Sequence, residues 1–316
     1  MEKNYVVGVD VGGPTTKIGV VNTKGEILAQ TVIRSDNNKE FTPYADELAT
    51  AIKQVITTAD VEGQVRGVGV GAPNGNYYKG TIEFAPNLAW AKGVVPFAEE
   101  LQKRLDGIPV TLTNDANAAA MGEMAYGVAR GMKNFIMITL GTGVGSGIII
   151  DGKMVYGHDG FAGELGHTTV VRDGRQCNCG KKGCLEAYCS AIGIARTARE
   201  WLDSTDEPSA LRSIENFSSK DIYDAAKAGD ALALKVFKYT GNLLGQSFAD
   251  FVAFSAPEAI VLFGGLARAK EFLYEPMLGS MNENLLQIWK GKVKILFSQL
   301  KESDAAILGA SALAWD

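Results

Sequence analysis

Residues 5–21 read YVVGVDVGGPTTKIGVV, and residues 135–150 read FIMITLGTGVGSGIII. Each stretch is an apolar, β-branched run, a glycine-rich break and a second apolar run. In the first, Tyr5–Val11 leads into Gly12-Gly13-Pro14 and then 16–21; in the second, Phe135–Leu140 leads into a turn at 141–145 and then 146–150. β-branched runs broken by Gly and Pro predict β-hairpins. The two patterns lie about 130 residues apart, too long for a solenoid period but suited to two duplicated domains facing one another. Between and beyond them, strands are predicted at 27–33, 65–70, 110–112 and Ala259–Phe263. Helices are predicted at 44–56, where Leu48, Ile52, Val55 and Ile56 share a face, and at Asp115–Tyr126, 185–196 and 231–254. A terminal helix is predicted from Asp304, with Ser303 as its N-cap. Strands alternating with helices define an α/β chain.

The chain has 316 residues, which suggests two domains at about 150 residues each. Its 46% apolar content supplies a sizeable core. Formal charge is −5, from 31 basic and 36 acidic residues, and no Lys/Arg run offers a footprint for nucleic acid or an acidic membrane surface. The longest uncharged stretch, 134–150, has 17 residues and four glycines, whereas a membrane span needs about 20 mainly apolar ones. Asp10 falls where a signal peptide would be apolar, so a cytoplasmic location is expected. All four cysteines, Cys177, Cys179, Cys184 and Cys189, fall within 13 residues. Disulfide frameworks spread their cysteines, whereas short spacers mark a metal site or a redox pair.

Three constellations carry chemistry. Glycine turns let backbone N–H groups approach an anion, and two facing turns could cradle a polyphosphate. Asp10, an acid ending an apolar strand beside Gly12 and Gly13, is suited to hold Mg²⁺ against phosphate oxygens. Thr113-Asn114-Asp115 stands where a strand gives way to a helix. An acid there can be a helix-start charge held ionised by the helix dipole, or a base accepting a proton from an attacking hydroxyl, and both can hold at once. Finally, Cys177, Cys179 and Cys184, with His167 ten positions earlier, supply four tetrahedral ligands for a structural Zn²⁺. Cys189 is the competing fourth ligand, disfavoured because a helix from Leu185 would turn it to another face. His158, among Gly157, Asp159 and Gly160, reads as a surface-loop residue.

DVGGPTTK near the start, GAPNG at 71–75, NDANAAA at 114–120, LGTGVGSG at 140–147, GELGH at 163–167, CNCGKKGCLE at 177–186 and FGGLA at 263–267 occur in this order. In that order they resemble the ROK family of sugar kinases and repressors, almost from end to end. The resemblance implies an actin-like ATPase (ribonuclease H-like) fold, with residues 1–112 plus 303–316 as a small domain and 113–302 as a larger one carrying the zinc loop.

It further implies that Asp115 is the catalytic base, and that Asn87, Asn114, Glu164, His167 and Glu186 hold sugar hydroxyls, His167 also binding zinc. Asp10, Gly12 and Gly13 would form the first phosphate loop, Gly141, Thr142 and Gly143 the second, and Gly264 with Gly265 the adenosine end. Pro14 stands where the family usually has Thr, removing a hydroxyl and an N–H, so Thr15, Thr16 and Lys17 are expected to complete the donor site. The implied reaction is phosphorylation of a hexose by Mg·ATP, glucose to glucose 6-phosphate, by a homodimer. The alternatives are an N-acetylhexosamine kinase (N-acetylglucosamine or N-acetylmannosamine), a fructokinase or, remotely, a sugar-sensing repressor without a DNA-binding domain.

Overall fold

The computed structural model describes residues 3–36 and 38–315. The first half is built on strands β1 (Tyr5–Val11), β2 (Thr15–Asn22) and β3 (Ile27–Arg34), followed by helix α1 (Phe41–Thr58) and strand β4 (Val65–Gly71). A small sheet of β5 (Gly75–Asn76), β6 (Thr81–Glu83) and β7 (Val94–Val95) comes next, then α2 (Phe97–Arg104) and β8 (Val110–Thr113). The main sheet has the order β3-β2-β1-β4-β8. β1 runs antiparallel to β2 and parallel to β4, and β4 runs parallel to β8.

Helix α3 (Asp115–Tyr126) leads into the second half: β9 (Phe135–Leu140), β10 (Val144–Ile150), β11 (Lys153–Met154), α4 (Glu186–Cys189), α5 (Ala191–Ser204), α6 (Ser219–Lys227), α7 (Ala231–Ser255), β12 (Ala259–Phe263), α8 (Lys270–Asn284), β13 (Lys294–Phe297) and α9 (Glu302–Ala312). Its sheet order, β11-β10-β9-β12-β13, reproduces the first sheet position for position. β9 is antiparallel to β10 and parallel to β12, and β12 is parallel to β13. The central strands β1, β4, β9 and β12 are almost wholly buried, which is why they read as continuous apolar runs.

Each half has its own apolar core. One forms around Tyr44, Leu48, Ile52 and Phe97, the other around Phe237, Phe248 and Leu273. The last helix closes the first sheet rather than the second. A Cβ on Gly8 would collide with the Ile307 carbonyl and one on Gly69 with the Ala310 carbonyl, so these two strand glycines let α9 lie directly on β1 and β4.

Several boundaries differ from the sequence reading. Strand β10 starts at Val144, because pairing with Leu140 continues the ladder and leaves a turn of only 141–143. The helix expected over 185–196 breaks at Ser190, whose side chain accepts from the Gly193 N–H and caps α5. Helix α9 begins before the expected start, with Lys301 as its N-cap residue; Ser303 lies inside its first turn and donates to Asp304. No helix among the described residues is long and apolar enough to cross a membrane.

Candidate active site

Asp10 at the end of β1, the turn of the second hairpin and the N-terminus of α3 meet at a cleft of about 970 Å³ between the sheets. Asp10, Asn87, Asn114, Asp115, Gly141, Thr142, Gly143, Glu164, His167, Cys179, Glu186, Gly264 and Gly265 all line it. Residues from seven separate stretches of sequence therefore share one space.

Asn114 and Asp115 owe their position to the end of β8. Asn114 caps α3 by accepting from the Ala116 N–H at 2.8 Å, and Asp115 Oδ1 accepts from the same N–H at 2.8 Å. The sequence suggested that the helix dipole keeps Asp115 ionised. Desolvation proves the larger effect: Asp115 is exposed to the cleft, yet the protein around it raises its pKa, the Ala116 hydrogen bond offsetting only part. Asp10, opposite Lys17 across the hairpin, is pushed up to about 6 by burial and by the Asp115 charge, against the pull of Lys17. Glu164 is raised by burial first, with His167 opposing.

The first hairpin meets expectation only in part. Its turn is closed by Gly12 N–H donating to Thr15 O at 3.0 Å, while the exposed Pro14 uses its carbonyl to accept from Ser35 N–H at 3.1 Å. The Gly13 main chain lies against Asn87. Thr16 does not reach the donor site. It is fully buried, with its hydroxyl 2.7 Å from both Ser35 Oγ and Tyr44 Oη, because alternation along β2 turns it into the core. Gly12, Gly13, Thr15 and Lys17 do not line the cleft either; from this hairpin Asp10 does.

Glu186 does more than its sequence position suggested. Its Oε2 accepts from Val144 N–H at 2.9 Å, and its Oε1 lies 3.8 Å from Cys177 Sγ, so one side chain ties the second hairpin to the cysteine loop. A Cβ on Gly143 would displace that carboxylate, so glycine here leaves the Glu186 position undisturbed.

His167, Cys177, Cys179 and Cys184 bring one ligand atom each to within 4.8 Å of one another. Cys177 Sγ is 3.8 Å from His167 Nδ1, and the Cys179 and Cys184 sulfurs are 3.6 Å apart, close to the edges of a tetrahedron with Zn–S bonds near 2.3 Å. Burial and the neighbouring thiols push Cys184 up to about 12, as expected where thiols crowd together without a cation. Nδ1 faces the sulfurs, leaving Nε2 for the cleft. Cys189 is fully buried elsewhere, its Sγ contacting Thr240 O at 3.8 Å.

Phe84, Asn74 and Glu123 are among the cleft residues that the sequence reading did not single out. Phe84 and Asn74 line the cleft, and both adopt left-handed backbone conformations, which the Asn-Gly pair announces at 74 and no local pattern announces at 84. Glu123 is fully buried, and its Oε2 accepts from Val128 N–H at 2.9 Å. A glutamate on the apolar face of an Ala-rich helix was the available signal.

Two sheets of identical order, each with a glycine-turned hairpin at a shared cleft, make this an actin-like ATPase (ribonuclease H-like) fold. The ROK family pattern matches residues 6–316, and the chain belongs to that family. It is 34% identical over 319 residues to a glucokinase of Thermotoga maritima, covering 99% of this chain and 98% of the relative. A glucokinase of Halalkalibacterium halodurans is 38% identical over 282 residues, covering 88% and 85%. The structure of a ROK family glucokinase from Streptomyces griseus in complex with glucose and AMPPNP is similar at a TM-score of 0.79 and 33% identity, covering 98% of this chain and 99% of that one.

Proposed function

We propose that the protein transfers the γ-phosphoryl group of ATP to the 6-hydroxyl of a hexose, with glucose as the acceptor. The observation that carries this reading is Asp115, a carboxylate of raised proton affinity at the first position of α3, facing the cleft between two glycine hairpins. The sugar oxygen attacks the γ-phosphorus, the bond to the β-γ bridging oxygen breaks, and the hydroxyl proton passes to Asp115. A base with raised pKa suits that late transfer.

Asn87, Asn114, Glu164, His167 Nε2 and Glu186 orient the sugar hydroxyls, while N–H groups of the second hairpin turn face the phosphates. Asp10 fits a divalent cation: it is a partly buried acid beside a second acid, and its charge is costly without one. Mg²⁺ bound there would neutralise phosphate charge. The four ligands of the cysteine loop fill a zinc shell, so that metal would be structural, fixing the segment that carries His167 and Glu186.

This reading divides the lobes as 1–112 with 303–316 and 113–302, of which residues 1, 2, 37 and 316 lie outside the described residues. It assigns hexose and ATP as the partners of a cytoplasmic homodimer whose acidic balance is unsuited to nucleic acid. The test is ADP release over a panel of glucose, fructose, N-acetylglucosamine and N-acetylmannosamine. Glucose should give the highest kcat/KM. A preferred N-acetylhexosamine or fructose would move the assignment to that kinase, and no ADP release with any sugar would overturn it.

A further inference from the structure

Phe84 is at odds with its surroundings in two ways. Its backbone is left-handed, at φ 51°, a conformation that costs an aromatic residue free energy and that Gly or Asn would adopt more cheaply. Its side chain is 65% exposed and lines the cleft instead of joining the core beside it. The bend is held firmly. Asn74 Nδ2 donates to the carbonyls of Glu83 at 3.0 Å and Phe84 at 3.2 Å, and the Phe84 N–H donates to Gly93 O at 2.9 Å. The next residue, Ala85, is buried, with its N–H bonded to Ala91 O, so the chain is anchored on both sides of the strained residue. Strain maintained by this many bonds, presenting an aromatic ring to a cavity, needs a partner for the ring.

The cavity's chemistry indicates which. The groups assigned above to the sugar are all polar and address hydroxyls, whereas a pyranose also has C–H surface that makes no hydrogen bond. A phenyl face, with its negative quadrupole, complements such C–H groups. Asn87, assigned to a hydroxyl, lies only three residues from Phe84 on the same segment.

We infer that Phe84 is a positioning residue for the acceptor, its ring covering the apolar face of the sugar. The inference rests on the hexose-kinase reading, and direct binding separates the two. Glucose binding is measured by calorimetry, and turnover separately, on the wild-type chain and on Phe84→Ala, Phe84→Gly, Phe84→Tyr and Phe84→Trp. Phe84→Ala should weaken glucose binding and raise its KM by about tenfold, the worth of one aromatic face, with kcat and the KM for ATP nearly constant. Tyr and Trp should restore affinity. Phe84→Gly should lose sugar affinity without any fall in melting temperature, because it relieves the backbone. Glucose binding by Phe84→Ala within twofold of wild type would overturn the inference. A wild-type chain that binds glucose without phosphorylating it would overturn the kinase reading and leave this comparison standing.

Discussion

Asp115→Asn separates catalysis from stability by the sign of its effects. Asn preserves the oxygen that accepts from Ala116 N–H at 2.8 Å, and with it the start of α3. It cannot take a proton, so kcat should fall about 10²-fold to 10⁴-fold, roughly 2.7–5.5 kcal/mol on the barrier. Were Asp115 only a helix-start charge, its loss would instead cost about 0.3–1 kcal/mol of stability and leave turnover intact. The structure opposes that outcome, because burial disfavours the ionised form and the Asp115 charge raises the pKa of Asp10. A carboxylate with a raised folded pKa stabilises the native state fully only below its unfolded value, and that contribution is lost as pH rises through the folded value. As pH rises through the folded value the wild type loses it, so at the alkaline end the mutant should melt at the same temperature or higher. Towards acid pH the advantage should shrink. Coupled ADP release and calorimetry on one preparation read both quantities. A mutant with lowered melting temperature and near-normal turnover would refute the catalytic assignment.

Metal analysis should find one zinc per chain. Cys179→Ser should lose it together with sugar affinity, while Cys189→Ser should retain it; metal loss in the second variant alone would mean the wrong fourth ligand. Pro14→Thr, on an exposed turn outside the sugar constellation, should change the KM for ATP and leave that for glucose nearly constant; the reverse pattern would misplace the loop. Lys17→Met removes the cation that lowers the Asp10 pKa, so that pKa should rise above about 6. Because Asp10 is neutral below its pKa, ATP binding weakens as pH falls, and this weakening should set in at higher pH in the variant. Identical KM profiles for ATP between pH 5 and 8 would disprove the coupling.

What could be read from the sequence was whatever local pattern determines. The duplicated hairpins were legible because their first strands, β1 and β9, are buried on both faces and so almost continuously apolar. The clustering of His167 with Cys177, Cys179 and Cys184 was legible because all four fall in the single stretch 167–184. Tertiary effects were not. The inward turn of Thr16 depends on hairpin register and on Ser35 and Tyr44 arriving from elsewhere. The raised pKa of Asp115 depends on protein closing around a helix start that, in isolation, favours the charged form. The strained bend at Phe84 is held by Asn74 and Gly93, which no periodicity connects.

The helix lying on Gly8 and Gly69 ties folding to the order of synthesis. β1–β4 are made by residue 71, but their cover is residues 302–312. At 5–20 residues per second that helix follows roughly 230 residues later, on the order of 10–50 s. During that interval Val6 and Val21, which end up packed against Ile307, Leu308 and Ala314, lack their partners. The nascent chain therefore carries a sticky, half-covered sheet through most of its translation, and a ribosome stall anywhere before α9 leaves a product fit for a chaperone or a protease.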